Sequence, residues 1–255
     1  MSSFTLSYAF TAAALIGAAF TFQQSSVARA AEQPPKVTNT VCLTPPPPSD
    51  ADVLFDGTAE SLAKAWVPTR ANHKIWPVQN EIAVAANTDI RTKKSYGDCQ
   101  LHIEWRVPAN RHADGQRGAN SGVIFMDGRY EVQILESHTN KTYIDGMAGA
   151  LYNKSAPATN PSRPKGEWQS YDIALTVPRF DKSGKQTSPA RFTVIYNGVV
   201  VQLNKDLSGS TRHRDSKPQA HPLRLPLILQ FHGDPIEFRN IWIRDLDKKT
   251  AAPTN

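Results

Sequence analysis

The stretch Asn120–Glu136, NSGVIFMDGRYEVQILE, has the pattern of two β-strands joined by a tight turn. Asp127-Gly128 predicts the turn, because a two-residue type I′ turn needs positive φ angles that Gly adopts without strain. Residues 130–134 then alternate between apolar and polar, and successive strand side chains point to opposite faces. Glu131 and Gln133 therefore share one face. A carboxylate beside an amide in mid-strand suits the floor of a cleft, although a solvated sheet face would show the same pattern.

The rest of the chain continues as short alternating segments separated by turn residues. Cys99–Val107 alternates cleanly, with Leu101 and other apolar residues on one face and His102, Glu104 and Arg106 on the other. We expect further strands at residues 54–57, around Trp66 and Trp76, and at 81–84, 170–177, 191–196, 199–203, 225–232 and 236–246. A helical period of 3.6 residues is almost absent. The sequence therefore predicts an all-β fold, an antiparallel sandwich.

Four segments can be separated along the chain. We interpret residues 1–30 as a secretory signal, 31–50 as an extended Pro-rich linker, 51–247 as the sandwich domain and 248–255 as a tail. Residues 8–20 are apolar or small but too short to span a bilayer comfortably, and Ala28-Arg29-Ala30 matches an A-x-A cleavage site. We expect a secreted or periplasmic protein that is not inserted in a membrane after signal removal. A membrane anchor is the alternative interpretation.

The charge of the chain is positive and spread out. The formal net charge is +6, and cleavage after residue 30 would remove one positive charge, Arg29, and no acid, to leave +5. No run of Lys and Arg is long enough to indicate nucleic-acid binding. The densest basic stretch, residues 212–217, is interpreted as a solvated loop.

The two cysteines, Cys42 and Cys99, are the only candidates for a disulfide. In an oxidising compartment we expect them to pair, whereas in a reducing one both would be small buried residues. The sequence has no P-loop, dinucleotide-binding or zinc motif and no Cys/His pair at metal-ligand spacing. No cofactor is indicated, although Glu and His side chains could hold a divalent metal ion.

Nine landmarks in order resemble the 3-keto-disaccharide hydrolase domain family. They are Leu54-Phe55-Asp56-Gly57, Glu104-Trp105-Arg106, Asn120-Ser121-Gly122-Val123, Tyr130 to Leu135, Gly149-Ala150-Leu151-Tyr152, Gly166-Glu167-Trp168, Asn197-Gly198, Leu229 to Gly233 and Phe238-Arg239-Asn240-Ile241. The resemblance implies a concanavalin-like jelly-roll sandwich and cleavage of glycosides whose sugar is oxidised at C3. The chain departs from the family pattern in longer insertions at 179–189 and 205–221, and in Glu136, where the family often has Asp.

The candidate site consists of polar residues on the predicted strand faces. They are His102, Glu104, Arg106, Glu131, Gln133, Gln230, His232 and Arg239. If their four strands are neighbours, these groups converge on one concave face and bind a carbohydrate. Each also has a structural interpretation: Arg239 as the partner of a buried acid, His232 as a rim histidine, and Trp168 as core packing rather than a platform for a sugar ring.

The 3-keto chemistry requires a base, an acid and a cation or hydrogen-bond donor for an enolate. Glu104 and Glu131 are our candidates for base and acid, with their order open, and His232 is a second candidate for either role. Arg106, Arg239 or a divalent metal could hold the enolate oxygen. His102, Gln133, Gln230 and Trp168 complete the predicted substrate-binding set.

Two other functions fit the same fold. Laminarinase-like glucanases carry a Glu-x-Asp-x-x-Glu strand, and Glu131 to Glu136 has that spacing with Gln133 in place of Asp. A spacing of five puts the two carboxylates on opposite faces unless a bulge intervenes. A non-catalytic carbohydrate-binding module is the second alternative, because a fold does not determine a function.

Overall fold

The structure, a computed structural model, describes residues 32–247, which form fifteen strands and one α-helix. The strands are β1 (Asp52–Phe55), β2 (Trp66–Pro68), β3 (Val78–Gln79), β4 (Ile82–Val84), β5 (Ile90–Thr92), β6 (Cys99–Arg106), β7 (Asn120–Phe125), β8 (Tyr130–Leu135), β9 (Gln169–Thr176), β10 (Arg179–Phe180), β11 (Gln186–Ser188), β12 (Ala190–Tyr196), β13 (Val199–Leu207), β14 (Ile228–Leu229) and β15 (Glu237–Asp245). The helix α1 spans Ala59–Ala65, and a 3-10 turn spans Ile144–Gly146.

Two antiparallel sheets make up the sandwich. The larger has the strand order β13-β12-β9-β6-β15-β4-β3, with β1 also paired to β15, and the smaller has the order β2-β5-β14-β7-β8. The predicted insertion at 179–189 contains a separate hairpin, β10–β11. The prediction of an antiparallel, concanavalin-like jelly-roll sandwich is confirmed.

The core lies between the two sheets and follows from the alternation of each strand. Leu101, Ile103 and Trp105 of β6 are buried on the inward face of the larger sheet, and Val132 and Ile134 of β8 are buried on the inward face of the smaller one. Because alternate side chains of a strand point to opposite faces, the polar residues between them lie on the two outer faces of the sandwich.

The turn between β7 and β8 is longer than predicted. Phe125 pairs with Tyr130, so four residues rather than two form the connection. Met126 and Asp127 have φ angles of 56° and 54°, and Gly128 has 92°. This register is fixed by the core, because it places the buried Phe125 and Tyr130 side by side. The second hairpin, β12–β13, has the predicted two-residue turn at Asn197-Gly198.

Three local predictions were wrong. The long strand expected at 225–232 is reduced to β14, since Pro226 has no N–H to donate to a ladder. Trp76 lies in a loop. The helix α1 was missed because it has only seven residues and a single buried one, Leu62, although Thr58 caps it by accepting a hydrogen bond from the Ser61 amide.

Residues 32–50, here called the N-terminal segment, are extended as their prolines predict but are also attached to the domain. The Val37 amide donates to Asn160 O at 3.0 Å. The Leu43 amide donates to Ser170 Oγ at 3.0 Å, and Asn240 Nδ2 donates to Pro45 O at 3.2 Å. The segment therefore lies across the outer face of the larger sheet.

The predicted disulfide is wrong, because Cys42 and Cys99 are both free thiols. Cys42 Sγ lies 3.5 Å from Glu104 Oε2 on the outer face of the larger sheet, whereas Cys99 is buried in the core. Cys99 and Glu104 are five residues apart on β6, which is roughly 16 Å at about 3.3 Å per strand residue. A disulfide requires Cα atoms within about 7 Å.

The predicted signal (residues 1–30) and tail (248–255) lie outside the described residues, so secretion stays a prediction. No helix within residues 32–247 is long and apolar enough to cross a bilayer.

Candidate active site

The predicted site residues are divided between two outer faces, so the expectation of a single concave face is wrong. His102, Glu104, Arg106 and Arg239 belong to β6 and β15 of the larger sheet; Glu131 and Gln133 belong to β8 of the smaller one. Each strand has its apolar alternates in the common core. Glu104 and Glu131 therefore point away from each other.

The outer face of the smaller sheet carries a groove with a volume of about 480 Å³. Strand register aligns Arg91, Ile228, Ile124 and Glu131 in one row across β5, β14, β7 and β8. The groove is lined by Thr69, Asp89, Arg91, Ile124, Asp127, Gly128, Glu131, Thr211, Arg212, Ile228 and Gln230. It thus brings together two of the predicted residues, Glu131 and Gln230.

Glu131 is the partly buried carboxyl group of this groove. Burial, followed by the negative charge of Asp89, raises the pKa of Glu131 to about 7. In the amide orientation that satisfies both its oxygen and its nitrogen, the Gln133 side-chain nitrogen lies 3.0 Å from Glu131 Oε1 and 2.9 Å from Ser121 O. A carboxyl group with this pKa exchanges protons readily near neutral pH.

Gly122 on the neighbouring strand provides the space for this carboxyl group. Gly122 pairs directly with Gln133, and a Cβ atom added to it would lie 2.4 Å from Glu131 Oε1 and 3.0 Å from its Cδ. Any other residue at position 122 would displace the Glu131 carboxyl from the floor of the groove.

The backbone of Glu131 is held by the loop that follows β13. The Glu131 amide donates to Thr211 Oγ1 at 3.0 Å, and the Thr211 amide donates to Arg129 O at 2.8 Å. The loop thereby adds to the contacts that residues 149–152 make along this edge of β8, where the Tyr152 amide donates to Glu131 O at 3.1 Å. The position of Glu131 depends on this loop as well as on the sheet.

Two arginines give the groove positive charge. Arg91 and Arg212 are both exposed, and neither forms an ion pair among the residues that the structure describes. Asp89 is fixed differently, since its Oδ1 accepts a hydrogen bond from the Phe231 amide at 2.8 Å. The two guanidinium groups are therefore available to an anionic oxygen of a ligand.

Glu104 belongs to a buried ion-pair network on the other outer face. Its side chain is 0% exposed and accepts hydrogen bonds from Arg239 Nε at 2.6 Å and Asn240 Nδ2 at 2.8 Å. His102 lies between Glu104, 3.7 Å from Nε2, and Asp172, 2.8 Å from Nδ1. The ring of His102 stacks on Trp242 with centroids 5.2 Å apart.

The pKa values in this network follow from its hydrogen bonds. Burial alone would raise the pKa of Glu104, but the nearby His102 and the hydrogen bonds from Asn240 and Arg239 outweigh it and lower the pKa. Burial would lower the pKa of His102, but the hydrogen bond to Asp172 and the nearby Glu104 carboxylate raise it. Both groups are therefore stabilised in their charged forms. The N-terminal segment covers them through Cys42, so a ligand cannot reach the Glu104 carboxylate.

Trp168 lies at the surface of the same face rather than in the core. The guanidinium groups of Arg106 and Arg239 lie 4.5 and 4.1 Å from the centroid of its ring, which is cation–π geometry. Arg106 also pairs with Glu237 at 2.5 Å. Trp168 lines a second cavity of about 430 Å³, on the opposite side of the sandwich from Glu131.

Glu136 cannot be the partner carboxylate of a glucanase site. It is 3% exposed, and its oxygens accept hydrogen bonds from the amides of His138 (2.7 Å), Thr139 (3.0 Å) and Asn140 (2.8 Å). The carboxylate therefore fixes the loop after β8 through these hydrogen bonds. The laminarinase-like interpretation of Glu131 and Glu136 is therefore not supported.

The remaining predicted residue, His232, is exposed in the bend that follows Gln230. In the part of the chain from residue 32 to residue 247, no group of three or more His, Cys, Asp or Glu side chains is arranged to hold a metal ion.

Comparisons with known proteins give the family. A model of the 3-keto-alpha-glucoside-1,2-lyase-like domain matches residues 50–244. The chain belongs to this family. The resemblance stated from the sequence landmarks is thereby confirmed.

Solved structures agree with this family assignment. A candidate glycosyl hydrolase from Parabacteroides distasonis is 38% identical with a TM-score of 0.74, over 81% of this chain and 90% of that one. A second candidate glycosyl hydrolase from the same organism is 22% identical with a TM-score of 0.55, over 78% of this chain and 94% of that one, and it shows the fold alone. The comparison with curated proteins gave no match.

Four charged residues of the groove were missed from the sequence: Asp89, Arg91, Asp127 and Arg212. Asp89-Ile90-Arg91 does carry a signal, since a buried Ile90 between two polar residues has the period of a strand. Arg212 carries no local signal, because its place in the groove depends on a loop that returns to the β7–β8 turn. Fold and family together describe a glycoside-hydrolase-like domain.

Proposed function

We propose that this protein cleaves glycosides of sugars that carry a carbonyl at C3, and that Glu131 transfers the proton at C2. One observation carries the proposal: the Glu131 carboxyl, with its pKa raised to about 7, lies in the floor of a groove large enough for a sugar. An ordinary surface glutamate would be fully ionised and a weak base at neutral pH.

The reaction has two halves. The C3 carbonyl acidifies C2–H, so that a base can take the proton while the C–H electrons form a C2–C3 enolate. The enolate then re-forms the C3 carbonyl, a C1–C2 double bond develops, and the C1–O bond breaks with its electrons on the departing oxygen. Addition of water, with OH at C1 and H at C2, completes a net hydrolysis.

In this proposal Glu131 removes the C2 proton and, as the acid that it then becomes, can return a proton to C2. General acid–base catalysis is efficient when the pKa of the catalyst lies near the working pH. Arg91 and Arg212 stabilise the enolate oxygen, because fixed positive charge at a developing anion lowers the barrier. Gln230 orients the sugar from the position directly after β14.

The departing oxygen also needs a proton. We assign this role to His232, which follows Gln230 by two residues and has an exposed side chain. Glu104, Arg106, His102, Trp168 and Arg239 have no role in the reaction, because they belong to the opposite face. Family membership and the 38% identical candidate glycosyl hydrolase support a carbohydrate as the substrate.

The experiment is a comparison of Glu131→Gln with the parent protein on a 3-keto-disaccharide and on the same disaccharide without oxidation. Gln keeps the shape of Glu but cannot transfer the proton, so we expect a loss of about 10²–10⁴-fold in kcat. The parent protein should ignore the unoxidised sugar and should exchange the C2 hydrogen with deuterium from solvent.

Two controls make the result specific. Glu81→Gln changes an exposed glutamate outside the groove and should leave kcat unchanged. A carbohydrate-binding module would bind the sugars without turnover in any variant. Cleavage of the keto substrate without exchange at C2, and with full activity in Glu131→Gln, would contradict both the elimination and the assigned residue.

A further inference from the structure

A smaller cavity of about 280 Å³ adjoins the groove at the β7–β8 turn. The groove and this cavity share Asp127 and Arg212 in their linings. The smaller cavity adds Arg129 and Lys217, so its lining holds three cations and one carboxylate. We call it the cationic pocket and define it by Arg129, Arg212 and Lys217.

The cationic pocket keeps an excess of positive charge, because Asp127 is the one carboxylate among the described residues of its lining. Among the described residues 32–247, none of its three cations forms an ion pair, whereas Arg214 of the same loop pairs with Asp145. Most of the arginines behave like Arg214 and have a carboxylate partner. The arginines in such pairs are Arg106, Arg111, Arg117, Arg163, Arg179, Arg191, Arg214, Arg224, Arg239 and Arg244.

The backbone contacts of the pocket orient its cations without neutralising them. Arg212 Nε donates to Gly128 O at 2.7 Å, and Arg129 Nη1 donates to Met126 O at 3.1 Å. A Cβ on Gly128 would lie 2.6 Å from Arg212 Nη2. The turn therefore accommodates the guanidinium closely and leaves its remaining N–H groups for another acceptor.

The loop that carries Arg212 and Lys217 is held at several points. Lys154 Nζ donates to Arg214 O at 2.6 Å, and Ser210 Oγ donates to Ser216 Oγ at 3.1 Å. Beyond Lys217, His221 Nε2 lies 3.0 Å from Tyr130 Oη. These contacts order the loop before a ligand arrives, which lowers the entropy cost of binding.

We propose that the cationic pocket binds an anionic substituent of the substrate, so that the preferred substrate of the groove is an acidic glycoside. Guanidinium groups match the oxygens of phosphate, sulfate and carboxylate, and Ser210 and Gln219 add hydrogen-bonding groups to the lining. Through the shared residues, an acidic group in the pocket is contiguous with a sugar beside Glu131. This inference rests on the proposed function, because it names the substrate class of the same site.

The test compares three 3-keto-disaccharides that differ only in the sugar that is not oxidised: one neutral, one with a carboxylate and one with a phosphate at C6. We expect the parent protein to prefer one or both acidic forms. Lys217→Gln and Arg129→Gln should each raise KM for the acidic substrate about tenfold, a typical effect of losing one charge-assisted hydrogen bond. Lys217→Arg should restore the KM of the parent protein for the acidic substrate.

The neutral substrate and a remote variant are the controls. KM and kcat for the neutral disaccharide should not change in Lys217→Gln. Lys64→Gln removes the same charge from α1, beside β2 at the opposite edge of the smaller sheet, and should change nothing. Equal preference for neutral and acidic substrates, or equal losses on both in Lys217→Gln, would overturn the inference while leaving the proposed cleavage intact.

Calorimetry measures binding in the cationic pocket independently of the cleavage reaction. If no keto-disaccharide is cleaved, the same acidic and neutral saccharides, without oxidation, are titrated into the parent protein and Lys217→Gln. Tighter binding of the acidic saccharide that is lost in Lys217→Gln would support the pocket although the proposed function had failed. Equal binding of both saccharides would overturn it.

Discussion

Glu104→Gln should destabilise the protein without changing its chemistry. The substitution removes the negative charge between Arg239 and His102 in a site that is 0% exposed at position 104. Removal of one partner from a buried ion pair typically costs about 3–5 kcal/mol, because the other charge is left uncompensated. Arg239 is 36% exposed, so water can solvate part of its charge, and we expect about 3 kcal/mol.

Thermal unfolding of the purified variant measures this cost. For a domain of this size, about 1 kcal/mol shifts Tm by roughly 2–4 °C, so we expect a fall of roughly 6–12 °C. The matched control is Glu237→Gln on β15, which breaks the more exposed pair with Arg106 and should cost at most about 1 kcal/mol. At a temperature where both variants are folded, kcat on a 3-keto substrate should equal that of the parent protein.

The opposite outcome would refute this reasoning. If Glu104→Gln keeps the parent Tm and loses most of its activity, then Glu104 takes part in the reaction and the active site lies on the larger sheet. Glu131→Gln should show the reverse pattern, with activity lost and stability retained.

Four further predictions concern the groove and the cysteines. If Glu131 is the base, kcat/KM should rise with pH through a midpoint near its pKa of about 7, and a flat profile from pH 5 to 9 would contradict this. Because the folded pKa of Glu131 lies above its usual value of 4.5, ionisation destabilises the fold. The stability of the parent protein relative to Glu131→Gln should therefore fall as pH rises from about 4.5 to 7 and stay constant above that range. Gly122→Ala should reduce kcat, since the added Cβ would lie 2.4 Å from the Glu131 carboxyl. Measurement of kcat at a temperature 20 °C below the Tm of the parent protein would check this. Thiol titration of denatured, non-reduced protein should find both Cys42 and Cys99 free, and a reducing agent should leave Tm unchanged.

The sequence predicted the strands better than it predicted their partners. Alternation in β6 and β8 correctly separated the polar faces that carry Glu104 and Glu131 from the core. It could not show that the two strands belong to different sheets, because sheet membership depends on pairings between distant segments. β6 pairs with β15, more than a hundred residues later, and no local pattern encodes that choice.

The candidate site shows the same limit at the level of single residues. Gln230 lies in the same groove as Glu131 as expected, because it directly follows β14 and its amide donates to Gly122 O of β7 at 3.1 Å. Trp168 and Arg239 are residue types that often bind sugars, but here they contact each other on the outer face of the larger sheet. Arg212 reaches the groove only because residues 208–221 return to β8, and such a path is set by tertiary contacts.

The pairing of the first and last strands affects how this chain folds. β1 pairs with β15, and the N-terminal segment is bonded to Asn240 on that last strand. During synthesis β1 is made long before β15 and has no strand partner until β15 has left the ribosome. Contacts between such distant segments slow folding and leave strand edges exposed to aggregation in the meantime. The larger sheet can close only after β15 has left the ribosome, so a helper that shields β1 and the N-terminal segment until then would raise the yield of folded protein.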